Sequence, residues 1–136
     1  MSKASNYVQL IAELTERGIK HNPKAIVAIT KLNNGQIIFL ETGNAQAGWQ
    51  HILEKHRPDF ENRGISPNQI VDLLMLAIQQ GQLLGTQGRS RRIYQVDFES
   101  QTQYISIDIG SNGYLVSANP TPRKLIRRLI QGEKNG

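Results

Sequence analysis

Two imidazoles and a run of charges share one short segment of the chain, GWQHILEKHRPDF (residues 48 to 60), which holds His51, His56 and the only tryptophan, Trp49. Imidazole titrates near ~6.5, so either ring can give or take a proton at working pH. Glu54 and Asp59 add two further acid–base candidates, and Lys55 and Arg57 add two phosphate-binding cations. At ~100° per residue, Trp49, Ile52, Leu53 and His56 fall on one stripe, whereas His51 and Lys55 project from nearly the opposite side. A regular helix therefore sends the two histidines to different faces, and they can cooperate only if His51 lies at the helix start, where the chain is still turning. A spacing of five also misses the three or four that paired helical zinc ligands need, and no nearby residue completes a ligand set, so no metal or cofactor is expected. The plainer reading makes His56 a half-buried core residue bonded to a carbonyl and His51 a solvated or helix-end residue.

A second concentration is Gly88-Arg89-Ser90-Arg91-Arg92, with three guanidiniums in four residues. Read as a loop freed by Gly85 and Gly88, it would suit bidentate clamping of a phosphodiester; read plainly, it is a solvated basic loop. The third is YLVSANPTP, where Ser117 ends a strand and Asn119, Thr121 and the rigid Pro120 and Pro122 follow. Hydroxyls and an amide at a strand end can orient a phosphate, although the same residues make an ordinary strand exit. Sixteen Lys and Arg against eleven Asp and Glu, a formal charge of +5, bias the field of the whole chain toward polyanions such as nucleic acid.

The elements that must position these residues are legible in outline. Tyr7, Leu10, Ile11 and Leu14 recur at helical spacing up to Gly18, predicting a helix over about 5 to 18. AIVAITK and QIIFLET flank Asn34-Gly35, the signature of a tight hairpin turn. The histidine segment reads as a helix from about 47 to 57. Ser66-Pro67-Asn68-Gln69 announces another with a capping box and proline at its first position, running through IVDLLMLAIQQ to Gly81. Strands follow at RIYQVDF, at YISIDI with strict alternation, and at YLVSA after the Gly110-Ser111-Asn112-Gly113 turn, a three-stranded meander. TPRKLIRRLI closes the chain as a short helix with a basic outer face. The expected class is α+β: an antiparallel sheet of about four to five strands, covered on one side by two central helices, with an N-terminal and a short basic C-terminal helix. One domain is expected for 136 residues. The absence of cysteine excludes disulfides and thiolate chemistry. The start MSKASNYVQL has no apolar core of a signal peptide and no run approaches ~18 apolar residues, so a soluble, cytoplasmic protein without a membrane role is expected.

Taken in order, the strand pair, GWQHILEKH, GRSRRIY and NGYLVSANP resemble the barnase, EndoU, colicin and RelE superfamily of metal-independent ribonucleases, most of all its phage and polymorphic-toxin branch. The likeness covers roughly residues 25 to 122, leaving residues 1 to 22 as a helical extension of a single ribonuclease-like domain. It implies endonucleolytic cleavage of RNA in which the 2′-hydroxyl attacks the adjacent phosphorus to leave a 2′,3′-cyclic phosphate, with RNA as substrate and a cognate immunity or antitoxin protein as a partner. Carried over by position, His51 and His56 match the histidine pair. One of Arg89, Arg91 and Arg92 matches the phosphate-binding arginine, Arg91 being assigned to catalysis and the other two to substrate. Ser117 matches the hydroxyl of the last strand, where the family more often has threonine. Tyr94 would stack a base, and Lys55, Asn119 and Thr121 would contact substrate. The alternative is a non-catalytic RNA- or protein-binding domain on the same scaffold.

Overall fold

The computed structural model describes residues 3–135, with side chains over residues 6–131. Four helices and six strands follow one another as α1 (Lys3–Glu16), β1 (Ile26–Lys31), β2 (Ile37–Glu41), α2 (Trp49–Glu61), α3 (Pro67–Gln80), β3 (Gln82–Gln87), β4 (Arg91–Phe98), β5 (Gln101–Ile109), β6 (Leu115–Pro120) and α4 (Arg123–Asn135), with a short 3-10 turn at Pro23–Ala25 before β1. The strands form two antiparallel sheets, a β1–β2 hairpin and a four-stranded sheet in the order β3-β4-β5-β6. The class is α+β. Where the sequence predicts one sheet of four to five strands, the hairpin forms a sheet of its own, and its backbone meets the chain just before β6. The Phe39 N–H donates to the Gly113 carbonyl at 2.9 Å, and Phe39 and Tyr114 form an isolated parallel bridge.

Strand β3 is absent from the sequence reading because its residues, QLLGTQ, carry little of the alternation that burial imposes. As an edge strand it is held by its ladder to β4, in register from Gln82 opposite Gln95 to Gln87 opposite Arg91, with a bulge between Leu83 and Gly85. Helix α2 outruns its predicted end and passes through Pro58 to Glu61. Proline removes one helical hydrogen bond, but the last turn is anchored by Phe60, which is fully buried, and by the Asn62 N–H donating to the Pro58 carbonyl at 3.0 Å. The capping box of α3 forms as its residues predict: the Ser66 N–H donates to Gln69 Oε1 at 2.9 Å.

Alternation along the sheet separates two faces. Ile105, Ile107 and Ile109 of β5 point inward with Tyr94 and Val96 of β4 and join Ile52 and Phe60 of α2 and Leu73, Leu74 and Ala77 of α3 in the main core. Helix α2 packs chiefly on β6, and α3 on β4 and β1. A smaller cluster of Leu14, Ile29, Ile37 and Phe39 seats α1 on the hairpin. The opposite face is not bare, contrary to the expectation of a sheet covered on one side. Ile93, paired with Ser106 on that face, is fully buried, and Gly85 lies under α4, where Leu129 Cδ2 stands 3.5 Å from the position of a Cβ. The apolar stripe of the basic C-terminal helix needs cover, and the small residue in β3 lets it approach.

Candidate active site

Helix α2 begins at Trp49, so His51 sits in its first turn. The positive φ of Gly48 (+87°) brings the chain into the helix, and a Cβ there would lie 2.9 Å from the Glu41 carbonyl oxygen. Contrary to the helical arithmetic, the two imidazoles meet: their ring centroids are 5.6 Å apart at an interplanar angle of 82°. A spacing of five turns the side-chain directions by about 140°, not 180°. His51 lies in the first turn, where no earlier helical turn crowds its ring.

Each ring is held through Nδ1. His51 Nδ1 lies 2.9 Å from the Ala45 carbonyl oxygen, and His56 Nδ1 lies 3.2 Å from Asp59 Oδ2. A carbonyl can only accept, so Nδ1 of His51 carries the proton and its neutral ring presents a lone pair at Nε2. The partner of His56 is a carboxylate, which supplies a counter-charge when that ring is protonated. The two rings therefore differ in their Nδ1 partners, a backbone carbonyl for one and a carboxylate for the other. Among the described residues, neither Nε2 has a protein hydrogen-bond partner, and no group of three His, Cys, Asp or Glu side chains is arranged to hold a metal.

Strand β6 runs beside this helix. The Gly48 N–H donates to the Val116 carbonyl at 2.8 Å, and fourteen residues later Asn62 and Arg63 face Asn119, Pro120 and Pro122 across a cavity of about 280 Å³. Fourteen helical residues rise about 21 Å, and six strand residues from Val116 to Pro122 advance about 20 Å, so the two elements stay abreast. On that scale His51 stands level with Ser117, and His56 level with Asn119 and Pro120. Ser117 is in the middle of β6 rather than at a strand end, because the ladder continues to Pro120 opposite Ile105. It is 8% exposed and paired with Asp108. Asn119 donates from Nδ2 to the Pro120 carbonyl at 3.0 Å and lines the cavity shared with Asp59 and Arg63.

The arginine cluster is not a loop clamp. Arg91 and Arg92 open strand β4, and strand alternation sends them to opposite faces. The Arg91 guanidinium makes a two-pronged bond to Asp108, at 3.3 and 3.1 Å, in a cross-strand row with Ser117. Arg92 donates to Gln36 Oε1 at 3.2 Å on the hairpin side, and Arg89 is exposed at the β3–β4 turn, where both line a separate cavity of about 480 Å³. Two other expected substrate contacts are taken up by the fold. The Tyr94 ring is 5% exposed inside the main core, so no base can stack on it, and Thr121 is fully buried with its Oγ1 2.9 Å from Ser106 Oγ. Lys55 is exposed on α2 between the two histidines.

Sequence reasoning passed over Arg63, which follows α2 at the end of the seam. Its guanidinium donates to the Thr121 carbonyl at 2.8 Å. Burial, and after it the nearby charge of Arg123, hold Arg63 below the usual arginine value, while Asp59 acts in the opposite direction. No periodicity marks such a residue; it acquires its place from the turn at Gly64 that folds α3 back. Among the described residues, no helix is long and apolar enough to cross a membrane. No protein-family model matches the chain, and no curated protein matches it at a meaningful level of similarity.

Proposed function

We propose that the protein is a metal-independent endoribonuclease or ribonuclease-like toxin domain that cleaves RNA by attack of the 2′-hydroxyl on the adjacent phosphorus. The observation that carries this reading is the edge-to-face meeting of two imidazoles whose Nε2 atoms are both unengaged and whose Nδ1 partners differ. In-line transesterification asks for one base and one acid at opposite ends of the same phosphorus. His51 Nε2 takes the 2′-hydroxyl proton as the new P–O bond forms; protonated His56, backed by Asp59, delivers its Nε2 proton to the departing 5′ oxygen as that bond breaks. The products are a 2′,3′-cyclic phosphate and a 5′-hydroxyl, and the proton inventory balances within the pair. Asn119, which lines the cavity beside Asp59, supplies a hydrogen bond to a non-bridging oxygen, with Arg63 adding positive charge at the end of the seam. Ser117, 8% exposed, and Arg91, bound to Asp108 in the same cross-strand row, brace β6 rather than touch the phosphate.

The charge pairing of Arg91 favours the second reading, a binding domain without activity, because it withdraws the cation that the ribonuclease resemblance assigns to phosphate. One experiment separates the two. Purified protein is incubated with mixed RNA in excess chelator at about pH 5 to 8, the span over which imidazole changes charge. Cyclic-phosphate ends that vanish in both His51→Ala and His56→Ala are expected. Intact RNA at every pH, with salt-sensitive retention of RNA, rejects the enzyme.

A further inference from the structure

A cavity of about 790 Å³ lies away from the histidines, between the α2–α3 junction, the start of β5 and the first turns of α4. Arg63, Arg123 and Arg127 all line it, and among the described residues no carboxylate does. Arg123 and Arg127 stand four apart on α4 and so share a face, an arrangement of like charges that costs an isolated helix stability. Among the described residues none of the three guanidiniums forms a salt bridge, although Asp59 favours the Arg63 charge from the adjoining cavity, and Arg63 is fixed at one edge by the Thr121 carbonyl. Three cations gathered in a concave site with no salt bridge among the described residues create a demand for an anion with several acceptor oxygens, which guanidiniums meet in a forked geometry.

The remaining lining adds a second chemistry. Tyr104, partly exposed on the face opposite the core, borders the cleft together with the amides of Asn62 and Gln101. A planar ring beside guanidiniums and side-chain amides is what a stacked nucleobase and its edge require. Asn62 and Arg63 also line the smaller cavity beside Asp59, so the two cavities adjoin. From His56 to Arg63 the helix advances about 10 Å, the scale of a neighbouring nucleotide rather than of the same one.

We infer that the Arg63–Arg123–Arg127 cleft is a second subsite, which holds a backbone phosphate of the RNA strand next to the scissile linkage and stacks the adjoining base on Tyr104. The identity of the anion as RNA rests on the ribonuclease reading; the anion site itself rests on the cleft. Arg63 borders both this subsite and the seam, whereas Arg123 and Arg127 contribute affinity for a strand and nothing to the bond-breaking step.

The test uses a 2′-O-methyl decanucleotide, which lacks the attacking hydroxyl, for affinity, and an all-ribose decanucleotide and dinucleotide for turnover. Arg123→Gln with Arg127→Gln, both on the exposed side of α4, is compared with Lys24→Gln with Arg89→Gln, the same loss of charge elsewhere. The cleft variant is expected to bind the methylated strand at least ~10-fold more weakly. Its salt slope should fall by about 0.7 for each phosphate that is no longer neutralised. It should raise KM for the ribose decamer at unchanged kcat and leave dinucleotide cleavage as it was; Tyr104→Ala should weaken the strand without changing the salt slope. Equal affinity in the cleft variant and the control, or no binding of the strand by the wild type, overturns the subsite. A wild type that binds through Arg123 and Arg127 yet cleaves nothing keeps the subsite and rejects the enzyme. Cleavage that depends on the histidines but is indifferent to α4 does the reverse.

Discussion

Two regions of the chain concentrate ionisable groups, the α2–β6 seam and the β3–β4 turn, and the fold treats them in opposite ways. At the turn three arginines within four residues diverge: one to Asp108, one to Gln36, one to solvent. At the seam two histidines five residues apart converge to 5.6 Å. A dense run of charge on a strand is divided between its two faces by the period of two, while a helix start lets non-ideal spacings meet. Proximity in sequence is thus a poor guide to a shared target, and backbone geometry decides.

The contrast can be broken most directly by activity. Either His51→Ala or His56→Ala should cost about 10²–10⁴-fold in kcat, the usual range for a positioned proton-transfer group, whereas Arg89→Ala should change it by less than about threefold. Comparable losses from all three in a single-turnover RNA assay would erase the distinction between the regions. Asp59→Asn should cost less than either histidine change. A kcat for Asp59→Asn equal to that of the wild type would leave Asp59 without a role in catalysis.

Stability sharpens the same comparison at smaller scale. Arg91→Ala leaves the Asp108 carboxylate partly buried without its partner and should destabilise by about 1 kcal/mol, with the Arg91→Ala, Asp108→Ala double variant recovering part of the loss in urea titration. A pair that is fully additive would show Arg91 to be free after all. The least effect is expected far from both regions, at Glu13. Lys31, chiefly, and Arg17 hold its carboxyl below the usual value, although burial opposes them. Its folded-state value is depressed, so its stabilisation is fully present above the unfolded value and disappears as pH falls through the folded one. The Tm difference between wild type and Glu13→Gln should be small at pH 7 and shrink as pH falls through the depressed folded-state value.

Much of this fold was legible because single residue types dictate backbone states. Asn34-Gly35 made the first hairpin, Ser66 with Gln69 opened α3, and alternating isoleucines put β5 face to the core. What escaped was set by tertiary packing. The β3 strand is defined by its neighbour rather than by its own pattern, and α2 runs past Pro58 because Phe60 finds a pocket. Tyr94 and Arg92 are adjacent to a basic run, yet the register of β4 fixes the one in the core and the other on the hairpin side. At the candidate site, the residue types on α2 were evident and their meeting was not. Arg63 and Tyr104 carry no local signature at all, since each becomes significant only when α4 is laid against the start of β5.

The packing of Leu129 over Gly85 has a consequence for anything large that docks here. Leu129 of α4 covers the β3 end of the sheet face opposite the core, so a wide, flat partner would meet a helix there. The concave ground past the end of α2 is linear, running through the adjoining cavities at Asp59 and Arg63 to the base of α4. The molecule offers a track and not a table, and a track is followed by something thin.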